Sequence, residues 1–352
     1  MLQADFANYK AVQKNTYELV EIGKTQKMIK KLVSLVFVAI VAACAGFYSW
    51  SMQPISESTI EFTIKPGSSV RSSAQQIANA GVPINPVMLE LLARLHGQAN
   101  KFKAGPYEAE AGITPVGLIS KIVRGEFSQF SFALIEGWTF KQMRQALLQN
   151  PYVKHDAAKL SDQEILAKLT TDFTQPEGLF FPDTYLFPKG VSDMDVYKRA
   201  FDQLQQHLLT AWQQRDAGAS PIKTPYEALI LASIVEKETG RASDREMIAG
   251  VFVNRLRLGM LLQTDPTVIY GMGDQYQGKI RKRDLQQDTP YNTYTRAGLP
   301  PTPIALVGMD ALKAALNPAH TDALYFVARG DGSSQFSSNL DDHNRAVNHF
   351  IR

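Results

Sequence analysis

From Leu32 to Trp50 the chain carries no charged side chain, and this uninterrupted run of mostly Leu, Val, Ile, Phe and Ala constrains its folding more than any other feature. At about 1.5 Å per residue, a helix over this stretch crosses the roughly 30 Å hydrocarbon core of a bilayer. Lipid offers nothing to satisfy backbone N–H and C=O groups, so a single span has to be helical. Lys24, Lys27, Lys30 and Lys31 crowd the N-terminal side, Glu57 and Glu61 follow the exit, and Tyr48 and Trp50 sit at the interface end. The positive-inside rule therefore predicts a transmembrane helix over 32–50, with residues 1–31 in the cytoplasm and the rest outside the membrane. A cleaved signal peptide is the competing expectation. The length of the run, the polar stretch before it and the lack of a clean small-x-small site after it favour a retained anchor.

Hydrophobic residues make up 45% of the 352 and charged residues 20%, the composition of a folded protein. After the anchor, about 300 residues remain, enough for two or three domains. A net charge of +3 is too small to imply a nucleic-acid partner. The single cysteine, Cys44, lies inside the apolar run, so the outer part has neither disulfide nor thiol, which suits a periplasmic protein without requiring one. The six histidines are scattered with no His-Glu-x-x-His pair, and no Gly-x-Ser-x-Gly elbow occurs. Neither a metal nor a cofactor is expected.

Past the anchor one short pattern recurs. Gly67-Ser-Ser69, Gly112-Ile-Thr114 and Gly137-Trp-Thr139 each close an extended segment and open a helix, with Ser or Thr as N-cap. The apolar positions that follow, Val70/Ala74/Ile77, Val116/Ile119/Ile122 and Phe140/Met143/Leu147, have helical spacing. Ile60-Glu-Phe-Thr-Ile64 alternates as a strand and ends at Lys65-Pro66-Gly67. This entry into a capped helix resembles LysM modules, which bind N-acetylated glycans. A LysM-like subdomain is expected over 57–130, either as a grip on glycan or as a positioning scaffold.

Thr224, Pro225 and Glu227 mark the start of a helix as N-cap, first-turn proline and capping-box acid, and Gly240 suits its exit, so a helix is expected over about 225–239. Two glutamates near its end point to nearly opposite sides. Glu238 lies three, four and seven positions after Val235, Ile234 and Leu231 and caps the apolar stripe, whereas Glu236 follows Ser233, Ala232 and Leu229 on a more mixed face. Desolvation on the apolar side raises a carboxyl pKa and keeps the proton available for a leaving oxygen, the arrangement general-acid cleavage of a sugar bond uses. The alternative is a surface glutamate paired with Arg241, three residues on.

Leu262-Gln-Thr-Asp-Pro-Thr-Val-Ile-Tyr-Gly271 and Pro290-Tyr-Asn-Thr-Tyr-Thr-Arg-Ala-Gly-Leu-Pro-Pro-Thr-Pro-Ile304 are dense in amides, hydroxyls and tyrosines yet lie between apolar segments. They could wall a cleft for sugar rings, which offer C–H faces and a rim of hydroxyls. Gln263, Thr264, Tyr291, Asn292 and Tyr294 are the candidate substrate contacts, and each could instead stabilise a loop. Residues 150–224 look helical and connective around the aromatic knot Leu179–Phe187; Asp183 within it fits a turn or cap better than a second catalytic carboxylate. Ser243 and Glu246 suggest a capping box opening a helix that carries Ile248, Val251, Phe252 and Leu256 to a stop at Gly259. Arg255 and Arg257 on it are solvated charges or contacts to acidic substrate groups. Tyr270-Gly-Met-Gly273 lacks the strand and the Lys-Ser/Thr of a phosphate loop. Leu324–Arg329 and Ser334–Ser338 around Gly330-Asp-Gly332 read as a β-hairpin, followed by a helix after Asp342. The fold class is α+β.

Taken together, Ala232-Ser-Ile-Val-Glu-Lys-Glu-Thr239, Val251-Phe-Val-Asn-Arg-Leu256, Glu177-Gly-Leu-Phe-Phe-Pro-Asp-Thr-Tyr185 and the two polar segments resemble the endolytic murein transglycosylases of bacteria, the YceG-like family. The resemblance covers almost everything from about residue 57 onward, and only the long, polar N-terminal extension departs from the family's short basic start. It implies a membrane anchor, a LysM-like region and a catalytic domain over 131–352. It makes Glu238, the second glutamate of Glu-Lys-Glu-Thr, the catalytic acid. The implied reaction cleaves the bond between N-acetylmuramic acid and N-acetylglucosamine inside peptidoglycan strands, leaves a 1,6-anhydro end, and so ends the growth of nascent strands. Glycan strands, the inner membrane and peptidoglycan synthases are the implied partners. A lysozyme-type hydrolase and a non-catalytic envelope scaffold are the alternative functions.

Overall fold

The computed structural model describes the backbone of residues 2–218 and 220–351, and side chains from Gln26 onward within them. Lys24 and most of the expected cytoplasmic segment thus lie outside the described side chains. The chain divides into two compact units, Met1–Ser128 and Gln129–Arg352.

The first unit opens with one long helix, α1 (Leu2–Met52). Its portion Gln26–Met52 is long and apolar enough to cross a membrane. Leu32, Val33, Leu35, Phe37, Val38 and Ile40 are all exposed along it. The core helix of a water-soluble domain would bury that face, whereas lipid would cover it. Phe47 and Trp50 at its end pack on the unit's own core. Two antiparallel strands follow, β1 (Ile60–Ile64) and β2 (Gly105–Ala109), with Ile60 opposite Ala109 and Ile64 opposite Gly105. Between them lie α2 (Val70–Asn79), capped by Ser69, and α3 (Pro86–Leu95), capped by Asn85. Thr114 caps α4 (Pro115–Arg124). Phe62, Ile64, Ala74, Ile77, Leu89, Tyr107, Leu118 and Ile122 form the core, so the period-two and helical patterns both point inward.

The second unit begins with β3 (Gln129–Ala133), the turn at Gly137, and α5 (Phe140–Gln149), whose N-cap Thr139 and Gln142 complete a capping box. Next come β4 (Val153–Lys154), α6 (Asp162–Ala167), β5 (Thr184–Pro188), β6 (Val191–Ser192) and α7 (Asp193–Gln213). The stretch 150–224 is therefore not simply helical and connective. The end of the aromatic knot is strand β5, antiparallel to β3, with Ala133 opposite Thr184 and Gln129 opposite Pro188. Tyr185 and Phe187 alternate inward as a half-buried strand requires.

The remaining helices are α8 (Pro225–Glu238), α9 (Ala242–Arg257), α10 (Asp265–Met272), α11 (Lys282–Gln286), α12 (Met309–Leu316) and α13 (Leu340–Phe350). The hairpin β7 (Tyr325–Ala328) with β8 (Ser334–Ser337) precedes α13, which starts at N-cap Asn339 rather than after Asp342. Helix α8 is the axle of this unit: every residue from Ala228 to Val235 is buried, and α12, α9 and α7 pack around it. Thr224 caps its start by accepting from Glu227 N, while Glu227 accepts from Lys223 N. Its exit runs through Thr239 in extended conformation, not through a left-handed Gly240. Helix α9 begins at N-cap Arg241 without a side-chain cap, so Ser243 sits inside it and donates to Asp244 instead of closing a capping box.

Gly178 holds a tight passage beside the aromatic core. Its φ is +75°, and a Cβ there would lie 2.3 Å from Pro303 Cβ and 3.2 Å from the Ala305 carbonyl. Left-handed backbone alone costs a non-glycine residue about 1–3 kcal/mol. Gly178→Ala is expected to lose at least about 2 kcal/mol in denaturant unfolding; a change under about 0.5 kcal/mol, the range of ordinary surface substitutions, would contradict this packing.

Candidate active site

Because α8 is buried on all sides up to Val235, both glutamates at its end are raised by burial, Glu238 the more strongly, as its place on the apolar stripe predicts. Their partners set them further apart. The Glu236 side chain is only 5% exposed and accepts from Arg245 Nη2 at 3.3 Å and from the Gly308 N–H at 3.0 Å. Arg245 also meets Asp310 at 3.3 Å and Glu136 at 3.9 Å. Burial raises the Glu236 pKa, while the Gly308 N–H and the Arg245 charge work against that shift. Glu236 is thus committed to a buried ion cluster that ties α8 to α9 and α12.

Glu238 has no cation of this kind. Its Oε1 accepts a short hydrogen bond from Thr264 Oγ1, and the Arg241 pairing of the surface alternative is not formed. Burial pushes its carboxyl up to about 7; the Thr264 hydroxyl pulls it down, and the neighbouring Asp265 charge adds to the rise. At neutral pH the group is divided between acid and carboxylate, the range in which one residue can give a proton and take it back.

The wall around this acid is built from the two polar segments. Arg255 is buried and donates to the carbonyls of Leu261 (3.0 Å), Leu262 (3.1 Å) and Leu324 (2.7 Å) and to Gln263 Oε1 (3.2 Å). It is therefore neither a solvated charge nor a contact to acidic substrate groups. Gln263, which it clamps, has φ +53°, the one non-glycine residue in that region among the described residues. Such strain persists where surrounding structure enforces it, and it gathers at functional sites. The Gln263 N–H donates to Thr293 O, the Thr264 N–H to Thr293 Oγ1, and Thr267 and Thr293 share a hydrogen bond at 2.9 Å. Tyr294 donates to Asp265 Oδ1 at 2.6 Å.

The five candidate contacts therefore divide. Gln263 is exposed, and Tyr291 and Tyr294 are half-buried, so these three present surface to a ligand. Thr264 is buried on Glu238. Asn292 is also buried, spending its amide on the carbonyls of Asp284, Leu285 and Gln287 and its oxygen on the Tyr294 N–H. Those two hold the wall. Asp183 stands apart, exposed and bound by Gln203. Among the described residues, no three His, Cys, Asp or Glu side chains gather as metal ligands.

Sequence reasoning passed over Glu177. It is buried, accepts from the N–H groups of Phe140 (3.0 Å) and Gly178 (3.2 Å), and takes the Tyr270 hydroxyl as a further partner. Burial pushes it, too, up to about 7. It lines an open cavity of about 610 Å³ together with Thr139, Gln142, Gln175, Tyr270 and Tyr291. The available signal was a glutamate one glycine before the apolar run Leu179-Phe-Phe181.

A two-unit α+β chain with a raised-pKa carboxyl, held by a hydroxyl from a strained polar loop, is the outline of a general-acid enzyme. The YceG-like family model matches residues 62–349, and the chain belongs to that family. It is 32% identical over 314 residues to the endolytic murein transglycosylase of Bacillus subtilis (strain 168), covering 84% of this chain and 86% of that one. It is 28% identical over 356 residues to the enzyme of the same name from Streptococcus pneumoniae serotype 2, covering 89% of this chain and 63% of that longer one. The crystal structure of a yceG-like protein from Listeria monocytogenes aligns with a TM-score of 0.53 at 29% identity, covering 82% of this chain and 99% of the other.

A carboxyl that titrates near 7 in the fold and near 4.5 in the unfolded chain binds its proton more tightly when native. The stability it contributes is complete below about 4.5 and disappears as pH rises through about 7. Glu238→Gln, neutral throughout, should raise Tm relative to the parent at pH 8, with the gain shrinking toward pH 4. Equal Tm differences at both pH values in scanning calorimetry would contradict the burial argument.

Proposed function

We propose that this chain is a membrane-anchored lytic transglycosylase that cuts peptidoglycan strands internally, with Glu238 as its acid and base. The observation that carries the reading is the buried Glu238 carboxyl, pushed up to about 7 and held by Thr264. The names of the bacillar and pneumococcal relatives supply the substrate and the endolytic mode.

The protonated Glu238 gives its proton to the glycosidic oxygen between N-acetylmuramic acid and N-acetylglucosamine, and the leaving sugar departs as an alcohol. Positive charge develops at the anomeric carbon. The C6 hydroxyl of the same muramic acid then attacks that carbon and loses its proton to the Glu238 carboxylate. A 1,6-anhydro ring closes, Glu238 is again protonated, and no water is consumed. The nucleophile belongs to the substrate, so the enzyme's task is to hold geometry rather than supply a second attacking carboxylate. Gln263, Tyr291 and Tyr294 touch the sugars, while Thr264 and Asn292 fix the wall behind them.

The uncovered apolar stretch of α1 supports a retained single-pass anchor. Lys27, Lys30 and Lys31 before it favour a cytoplasmic N-terminus and an outward catalytic unit. The order strand, helix, helix, strand in the first unit supports a LysM-like glycan module. A cutter tethered at the membrane meets strands where peptidoglycan synthases extrude them, so those enzymes are its partners and termination of nascent strands its role.

Full-length protein in detergent, given purified sacculi, should release fragments whose muramic ends are one water lighter than hydrolysed ends by mass spectrometry. Glu238→Gln should lower the rate about a thousandfold, while Glu236→Gln reduces it far less. The parent rate should fall as pH rises above about 7, where the acid is lost. Hydrolysed ends, or parent-level release by Glu238→Gln, would overturn the assignment.

A further inference from the structure

The cavity beside Glu177 is lined by the two polar segments that wall the surroundings of Glu238, one carrying its partner Thr264 and the other Tyr294, which bonds Asp265. Helix α10 starts just after Thr264, and Tyr270 lies six residues further along, a rise of about 9 Å. Tyr291 is three residues before Tyr294, so their Cα atoms are separated by no more than about 11 Å. Both segments run from the acid's surroundings directly into the cavity wall.

The chemistry of the lining selects a ligand class. Tyr270 and Tyr291 meet edge to face, 4.9 Å between ring centres, with Phe140 and Pro176 completing the apolar surface. Gln142, whose oxygen serves the α5 capping box, and Gln175 add amide groups, and the Gln175 side chain is exposed. Flat rings beside short hydrogen-bonding groups suit the C–H faces and acetamido and hydroxyl rim of a pyranose. The charges around the cavity are internally balanced. Lys141 pairs with Asp274 at 2.5 Å, Asp162 pairs with Arg144, and Glu177 is taken up by the Phe140 and Gly178 N–H groups and the Tyr270 hydroxyl. Among the lining residues no unpartnered charge remains to recruit a phosphate or an ionised peptide.

The cavity is also fixed before any ligand arrives. Glu177 joins the start of α5, its own loop and the Tyr270 hydroxyl in one buried knot. Tyr291 is anchored to Thr302 at 2.9 Å. A volume of about 610 Å³ is within the roughly 300–1,000 Å³ of small-molecule sites.

We propose that this cavity is a subsite for an uncharged N-acetylated sugar residue of the glycan strand, displaced along the strand from the bond that Glu238 cleaves. The assignment rests on the transglycosylase reading. It gives an internal cutter a grip at a distance from the scissile bond, so strand length matters to binding.

The test uses full-length protein in detergent with the N-acetylglucosamine tetramer as binding probe and uncrosslinked glycan strands as substrate. Gln175→Trp fills the cavity mouth, and Gln175→Ala removes only the amide from an exposed position. The tetramer should bind Gln175→Trp at least tenfold more weakly than the parent and Gln175→Ala about threefold more weakly, with KM for strands rising in the same order. Glu238→Gln should keep parent affinity for the tetramer. Unchanged tetramer affinity and KM in both Gln175 variants would overturn the subsite, as would displacement of the tetramer by a sugar-free stem peptide. Failure of the catalytic reading has a different signature, parent-level strand cleavage by Glu238→Gln, whatever the Gln175 variants do.

Discussion

One hydrogen bond, from the Thr264 hydroxyl to the Glu238 carboxyl, joins the end of α8 to the polar loop before α10. On one side stands α8, buried from Ala228 to Val235, which carries the carboxyl out of the core to a place poor in water. On the other stands a loop whose shape would not persist alone: Gln263 is in the left-handed region, clamped by Arg255 and by the backbone of Thr293. Desolvation favours the protonated acid and the hydroxyl favours the carboxylate. The balance of these two places the group where it can act in both directions.

The neighbouring glutamates show how partners, more than burial, divide roles. Glu236, Glu238 and Glu177 are each raised by burial. Glu236 faces Arg245 and a backbone N–H; Glu177 accepts two N–H groups and a tyrosine hydroxyl. Only Glu238 leans on a single hydroxyl, which leaves capacity for a substrate oxygen. A carboxyl already saturated with donors serves to hold structure, and Glu177 does so for the cavity wall.

Much of this was legible in the residues. The alternation Ile60–Ile64 became β1, the three Gly-x-Ser/Thr turns became capped helices, and Thr224-Pro225 opened α8. These are local signals, set by caps and periodicity within a few residues. Tyr185 and Phe187 belong to a strand whose partner lies more than fifty residues earlier in β3, and a short aromatic run gives no local sign of that pairing. Arg255 and Glu177 were illegible for a related reason: each is buried by carbonyls or N–H groups from distant segments, and backbone donors and acceptors leave no trace in side-chain patterns. Glu236, expected on a more mixed face, is nevertheless buried, because a helix enclosed on all sides up to Val235 leaves no exposed face near its end.

The protonation of Glu238 can be observed directly. Carbon-13 NMR of side-chain carboxyl-labelled glutamate, with Glu238→Gln to assign the resonance, gives its titration in the full-length protein. A midpoint near 7 is expected, lying well above the exposed glutamates. A midpoint near the ordinary 4.5 would mean a solvated carboxylate at neutral pH and would contradict the general-acid account.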